Sequence, residues 1–342
     1  MNNINNIDYE LFTTIAQMKQ KTLLNSMNIF LKRYYSKDDI YKTQDYILCK
    51  GNVPIMLVAH MDTVFTIPPS VIYHDQKQHV LWSPQGLGAD DRAGVFAIMK
   101  IIQKGFLPHI CLTTDEECGG IGAYRLIKKY PTAPFDIKYI VQLDRQGLCD
   151  CVFYNCANDD FQTYIEKFNY ITEWGSFSDI SVICPQWKIA GVNLSVGYMY
   201  EHTKTEILFT DALYSTINRV IEMIKDIDNV SYFPYIENPA FGYYLNKLNG
   251  TGWYYDYDDF DRPAIASDFY TCVKCKDKFP DTDIFVVKSK DFANTKNYYC
   301  IDCINLGVNW CEKCGMPFEA DKPNSRLCPD CAGKKLKKPP VM

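Results

Sequence analysis

Residues 115–120 read DEECGG. Asp115, Glu116 and Glu117 follow the apolar run HICLTT, where a strand would end against a core. Like charges in a row repel, and a low-dielectric surrounding sharpens the repulsion. Residues of similar chemistry recur at other strand ends. PIMLVAHMDTV carries His60 and Asp62 two positions apart, so on a strand they point to the same side. GLGADDRAG sets Asp90 and Asp91 in a turn before a helix, IVQLDRQG ends on Asp144, and YMYEHTKTE brings His202. In an open α/β sheet the carboxyl ends of the strands form the ligand-binding edge. Four acidic segments and two histidines gathered there need counter-ions, and two divalent cations supply them. If one carboxylate bridges the ions and each takes one further carboxylate and one imidazole, the ligands carry about three negative charges, with a hydroxide as a fourth. One carboxylate is then left over as a base.

Taken singly, each residue has a plain structural reading: a strand-end histidine, an acidic helix cap, a turn aspartate. Only the set points to metal. His74, His79 and His109 read as hairpin or loop histidines, and Asp179, in GSFSDIS, either as an acid behind the ligands or, the plainer reading, as a loop-solvated acid. Arg145 follows Asp144 and could pair a substrate carboxylate or make a structural ion pair.

The elements that must position these residues alternate along the chain. DYILCK, PIMLVAHM, HICLTT, IKYIVQLD and WKIAGVNLSVGYMY read as strands, and SVIYHDQKQHVLWS as a hairpin. Residues 8–34, DDRAGVFAIMKIIQK, IGAYRLIKKY, DDFQTYIEKF and TDALYSTINRVIEMIKDI read as helical. The predicted fold is α/β: a three-layer, mixed but largely parallel sheet flanked by helices. IKYIVQLD is apolar throughout, as a strand buried on both faces must be.

HMDTV, GADDRAG, DEECGG, LDRQG and EHTKTE, in that order over residues 40–225, resemble the co-catalytic dizinc exopeptidases: peptidase T, the carboxypeptidase G group and the lidless bacterial aminopeptidases. The resemblance implies that His60, Asp90 and Asp144 hold one zinc ion. Asp90 would bridge to a second, completed by Glu117 and His202. Glu116 would be the general base, and Asp62 the acid that holds the His60 imidazole. Asp91 falls where that family often has a cis peptide, and Asp115 receives no role at the metals. Peptidase T and carboxypeptidase G carry a large inserted lid before the last histidine. Here only 57 residues separate Asp144 from His202, so no inserted lid domain is expected.

Of fifteen cysteines, eight form four Cys-x-x-Cys pairs. Cys272 and Cys275 pair in sequence with Cys300 and Cys303, and Cys311 and Cys314 with Cys328 and Cys331. Thiolate quartets of this kind bind structural zinc in ribbon or treble-clef folds, in sequential or cross-braced pairing. The expected organisation is a hydrolase domain over 1–228, an aromatic-rich connector over 229–266, the cysteine module over 267–334 and a basic tail over 335–342.

The net charge of −5 gives the whole chain no attraction for nucleic acid or anionic membrane. The polar start MNNINNIDYE is unlike a signal peptide, and the paired thiols suit a reducing compartment, so a cytoplasmic location is expected. The expected activity is exopeptidase cleavage of short peptides by a dizinc centre, with manganese or cobalt as alternative metals. N-acyl amino acid deacylation is the enzymatic alternative. A non-catalytic adaptor, whose zinc module binds a protein partner or nucleic acid, is the alternative from another class.

Overall fold

The computed structural model describes residues 8–237 and, in the C-terminal part, 269–276, 278–280, 284–288, 296–300, 308–310, 317–319, 325–327, 329 and 332–333. The chain divides into two compact units, Met1–Gly250 and Thr251–Met342.

The first unit runs α1 (Tyr9–Ala16), α2 (Gln20–Leu31), β1 (Ile40–Lys42), β2 (Tyr46–Cys49), β3 (Val53–His60), β4 (Tyr73–Asp75) and β5 (Val80–Trp82). It continues with α3 (Ala89–Gln103), β6 (Pro108–Thr113), α4 (Ile121–Lys129), β7 (Tyr139–Arg145), β8 (Asp150–Val152), α5 (Asp159–Glu166) and β9 (Ile171–Thr172). The last elements are α6 (Asp179–Trp187), β10 (Gly191–Ser195), β11 (Tyr198–Met199), β12 (Ile207–Phe209) and α7 (Thr210–Lys225). Eight strands form one sheet in the order β1-β2-β6-β3-β7-β10-β8-β9. Its centre, β6-β3-β7-β10, is parallel, while β1–β2, β2–β6 and β10–β8 are antiparallel. The α/β class and the largely parallel sheet match the sequence expectation.

Side-chain alternation on β3 shows how the layers form. Ile55, Leu57 and Ala59 enter one hydrophobic core, and Met56 and Val58 enter the other. Helices α1, α2, α3 and α7 supply the first core, and α4 and α6 the second. On β7, Tyr139, Val141 and Leu143 face the first core and Ile140 the second. Each such side chain contributes roughly 1.5–3 kcal/mol on burial. The centre of the sheet is therefore held from both faces, and its carboxyl ends are fixed in place.

Three features depart from the sequence reading. The helical stretch 8–34 is two helices, broken between Ala16 and Gln20. WKIAGVNLSVGYMY is not one strand: Trp187 ends α6, β10 stays in the large sheet, and β11 joins a second sheet of order β11-β12-β5-β4. Gly197, at φ 93, makes the break. Helix α6 is absent from the elements expected from sequence. Its β-branched residues and internal Pro185 hide a helix that Ser178 starts with a capping box.

The second unit's described strands are β13 (Phe269–Thr271), β14 (Lys278–Pro280), β15 (Ile284–Lys288), β16 (Lys296–Cys300), β17 (Val308–Trp310) and β18 (Pro317–Glu319). β13 pairs antiparallel with β14, and Cys272 and Cys275 lie in the turn between them, where the Lys276 N–H donates to the Cys272 carbonyl at 3.0 Å. The side chains of Cys300, Cys303, Cys311, Cys314, Cys328 and Cys331, residues 238–266 of the connector and the basic tail lie outside the described residues. Among the described residues no helix is long and apolar enough to cross a membrane.

Helix α3 crosses β7 so closely that a Cβ on Gly94 would lie 2.1 Å from the Leu143 carbonyl oxygen and 2.4 Å from Asp91 Oδ1. Gly94→Ala should lower stability by about 1–3 kcal/mol, the usual cost of overpacking. It would be read as a lower urea midpoint at unchanged slope. An unchanged midpoint would mean that α3 and β7 separate freely.

Candidate metal centre

The parallel strands deliver their ends side by side. β3 pairs with β6 up to His60 and Thr113, and with β7 up to Val58 and Gln142, so His60 and Asp144 end neighbouring strands. Asp90 arrives from the head of α3, where Asp90 and Asp91 keep non-helical backbone angles and their peptide bond is cis. Glu117 stands in the turn after β6, and His202 in the turn between β11 and β12 of the second sheet.

Two triads result. Ligand-capable atoms of His60, Asp90 and Asp144 lie within 4.8 Å of one another, and so do those of Asp90, Glu117 and His202. Asp90 belongs to both, with one oxygen for each. Its Oδ1 is 3.0 Å from His60 Nε2, and its Oδ2 is 3.1 Å from His202 Nε2. Asp144 Oδ1 is 3.4 Å from His60 Nε2, and Glu117 Oε2 is 3.0 Å from His202 Nε2.

The donor set fits divalent cations. His60 Nδ1 faces Asp62 Oδ1 at 3.2 Å. A neutral imidazole that donates there turns a lone pair of Nε2 toward two carboxylate oxygens, and three lone pairs then meet. Only a proton or a cation reconciles them. With protons alone, hydrogen bonds donated to Asp90 and Glu117 pull His202 up to about 11. Burial works against a proton on His60, yet Asp144 and Asp62 hold it well above its usual range. Glu117 Oε1 is buried with no hydrogen-bond partner, an acceptor with room for an ion. Imidazole and carboxylate together suit zinc.

The remaining acids support the triads. Asp62 Oδ2 accepts the Glu117 N–H at 3.0 Å, so one side chain ties His60 to the DEECGG turn. Burial pushes the Asp62 carboxyl up, but His60 and the Glu117 and Glu116 amides outweigh it and hold it low. Asp91 accepts from the His60 N–H at 3.1 Å and the Gly94 N–H at 2.9 Å, so it supports backbone. Asp144 Oδ2 accepts from Ser178 Oγ at 2.9 Å and Gln142 Nε2 at 3.0 Å, and Tyr198 OH donates to Oδ1 at 3.2 Å. Asn193 fixes the Asp144 backbone from both ends, accepting its N–H at 2.9 Å and donating to its carbonyl at 2.7 Å.

The DEECGG turn sorts its own three acids. The Glu116 carbonyl accepts from the N–H groups of Gly119 and Gly120, at 2.9 and 2.8 Å, with both glycines at positive φ. Glu117 faces the second triad. Burial, then Asp144, Asp179 and Glu117, push the Glu116 carboxyl up to about 10 against the pull of His60. Asp115 turns away: its Oδ1 accepts from Gln20 Nε2 at 2.9 Å and anchors α2. Arg145 joins neither triad; its charge draws down the Asp150 carboxyl that burial raises. His109 is structural, held between the Gly51 N–H and the Asp136 carbonyl, both at 3.0 Å.

Two further acids at the site are buried, and one of them, Glu206, received no role from the sequence. Asp179 is not loop-solvated. It is 0% exposed at the start of α6, with Oδ2 bonded to the Thr113 hydroxyl, Oδ1 unpartnered, and burial raising it to about 7. Its signal was the Ser-Asp start of a helix, masked by the glycine- and serine-rich stretch before it. Glu206, also 0% exposed, accepts the Gly88 N–H at 2.5 Å and the Asp90 N–H at 3.0 Å. It therefore clamps the His202 turn onto the loop that carries the shared Asp90. It closes the motif EHTKTE, and its pattern alone shows only a surface-like acid.

No family model matches the chain, and no curated protein matches it in sequence. Solved structures do match. A tripeptidase from Staphylococcus aureus aligns with a TM-score of 0.52 at 15% identity, over 65% of this chain and 98% of its own. Aminopeptidase PepT from Bacillus cereus aligns with a TM-score of 0.50 at 16% identity, over 64% and 98%. A TET aminopeptidase from a marine sediment Thaumarchaeota archaeon aligns with a TM-score of 0.50 at 14% identity, over 64% and 96%. The chain shares the fold of these aminopeptidases. At such identity the likeness is one of architecture.

Outer partners of metal ligands typically change ion affinity by 10–100-fold. Glu206→Ala should weaken divalent-ion binding by about that factor, measured by calorimetry, with the far-ultraviolet circular dichroism unchanged. Parental affinity would mean that the Gly88 and Asp90 amides hold the loop unaided.

Proposed function

We propose that the chain is a two-metal aminopeptidase acting on short peptides. The division of the two Asp90 oxygens between two His–carboxylate triads carries this reading. His60, Asp90 and Asp144 would hold one ion, and Asp90, Glu117 and His202 the other. Zinc is the first candidate, with manganese and cobalt as alternatives. When bound, such a pair polarises a carbonyl and lowers the pKa of water.

The chain's own residues do the rest. Glu116 lies beside the ligand Glu117 without being part of either triad. Its carboxyl is the group left to take a proton from the attacking water and return it to the departing amine. Without cations burial keeps the Glu116 proton on; two bound cations would lower its proton affinity toward the neutral range that a general base needs. Asp62 keeps the His60 Nδ1 proton in place, so Nε2 stays free as a ligand.

Charge sets the polarity. Asp62, Asp90, Asp91, Glu116, Glu117, Asp144, Asp179 and Glu206 gather at the sheet edge. The buried cation among the described residues there is Arg92, whose Nη2 donates to the Met18 carbonyl at 3.0 Å. Where two bound divalent ions keep these eight acids ionised, eight negative charges exceed the four positive charges of the ions. Such a site favours the ammonium of a free peptide amino terminus and repels a free carboxylate. The same argument disfavours a carboxypeptidase or an N-acyl amino acid deacylase, whose substrates bring a carboxylate close to the reacting bond. A complete ligand set with Glu116 in place is also more than an adaptor needs. The paired cysteines would hold two further, structural zinc ions in the second unit.

Zinc-loaded chain should hydrolyse peptides with free amino termini and spare the same peptides when N-acetylated. Equal cleavage of both would defeat the assigned polarity. Glu116→Gln should keep both ions at the triads and lose turnover by about 10²–10⁴-fold. Glu117→Gln should lose an ion, seen as lower metal stoichiometry, and Asp115→Asn should be mild. Metal loss in Glu116→Gln with retention in Glu117→Gln would exchange the two roles. A chelator should remove the two triad ions before those of the cysteine quartets, followed by elemental analysis.

A further inference from the structure

A peptide held by its amino terminus must place its first side chain beside the metal centre. Three segments of that centre carry exposed apolar side chains. Phe177 directly precedes Ser178, whose hydroxyl holds Asp144 at 2.9 Å. Its ring lies over the DEECGG turn: a Cβ on Gly120 would come within 2.7 Å of Phe177 Cζ. The Gly120 N–H is in turn bonded to the Glu116 carbonyl at 2.8 Å. Phe177 thus spans from the turn that bears the base to the loop that steadies the ligand Asp144, and it is 40% exposed. Ile121, next to Gly120, is 38% exposed. Tyr200, two residues before His202, is 58% exposed and held at φ 61.

Scattered apolar residues on a surface are ordinary. Phe177 lies against Gly120 and Ile121 follows it, so two of them stand on the turn that bears Glu116 and Glu117. Of the acids nearby, Asp62, Asp90, Glu117 and Asp144 each turn an oxygen to a histidine. What this mouth offers a side chain is an aromatic face and an aliphatic one.

Resting on the aminopeptidase reading, we propose that Phe177, with Ile121 next to the Gly120 it covers, forms the subsite for the first side chain of the peptide. The enzyme accordingly selects large apolar amino-terminal residues, such as leucine and phenylalanine, over glycine and aspartate. Leucine or phenylalanine gains by covering the Phe177 ring. Glycine leaves the ring wet, and aspartate brings a carboxylate toward an acidic centre.

The test uses the full zinc-loaded chain and aminoacyl methylcoumarin amides of leucine, phenylalanine, glycine and aspartate. The kcat/KM for leucine should exceed that for glycine by at least about 10-fold, the scale set by apolar pocket contacts. Phe177→Ala should cut that ratio by about 10-fold, through the leucine substrate, with bound metal unchanged. Phe177→Leu should keep most of the preference. Phe177→Val carries the same comparison if Phe177→Ala does not fold. An unchanged leucine-to-glycine ratio in the truncated variant, or a parent that prefers aspartate or glycine, overturns the subsite. Failure of the parent to cleave any of the four overturns the aminopeptidase reading instead, so the two failures are distinct.

Discussion

Carboxylates that must sit close together out of water are the constraint on which this structure depends. An unpaired buried charge is unfavourable by several kcal/mol, and neighbouring like charges add to that. The chain answers with donors aimed at each acid. Backbone amides serve Asp62, Asp91 and Glu206, and side-chain donors serve Asp144. Asp90 Oδ1 and Oδ2, Glu117 Oε2 and Asp144 Oδ1 are left turned toward imidazole nitrogen atoms. The donor pattern thus separates supporting acids from those available to cations.

Holding lone pairs that close together needs a rigid base. β3 and β7 are gripped from both faces by alternating side chains, so their ends cannot drift apart without opening two cores. Glycine permits the closest approaches. Gly94 lets α3 lie against the Leu143 carbonyl, and Gly120 lets the DEECGG turn fold under Phe177. Any side chain at either place would move a segment that carries a metal-centre acid.

The two triads differ in their surroundings. His60 is buried on the end of a central strand, whereas the His202 side chain is 52% exposed on a turn between two short strands of the smaller sheet. Glu206 compensates for that lighter support by linking the turn to Gly88 and Asp90 from below. One triad is thus built into the core, and the other is assembled where two sheets meet. The second is the more open of the two.

Much of this was legible in the sequence. Apolar runs ending in His60, Asp144 and the DEECGG acids announced strands with chemistry at their ends, because period and composition reflect burial on two faces. The five ordered motifs nominated all five triad residues, as well as Glu116 and Asp62. Helix α6 was not legible: its β-branched residues and Pro185 argue against a helix, and only packing against α4 and β7 overrides that preference. Glu206 looked like a surface acid and Asp179 stood between support of the site and loop solvation, since burial depends on what comes to lie over a residue and not on the residue itself. The split of WKIAGVNLSVGYMY between two sheets was also undecided by pattern, for alternation is the same in either sheet. Residue type and spacing settled which groups could bind cations. Tertiary structure settled which carboxylate oxygens face an imidazole and which face a hydrogen-bond donor, because that depends on chain segments far apart in sequence.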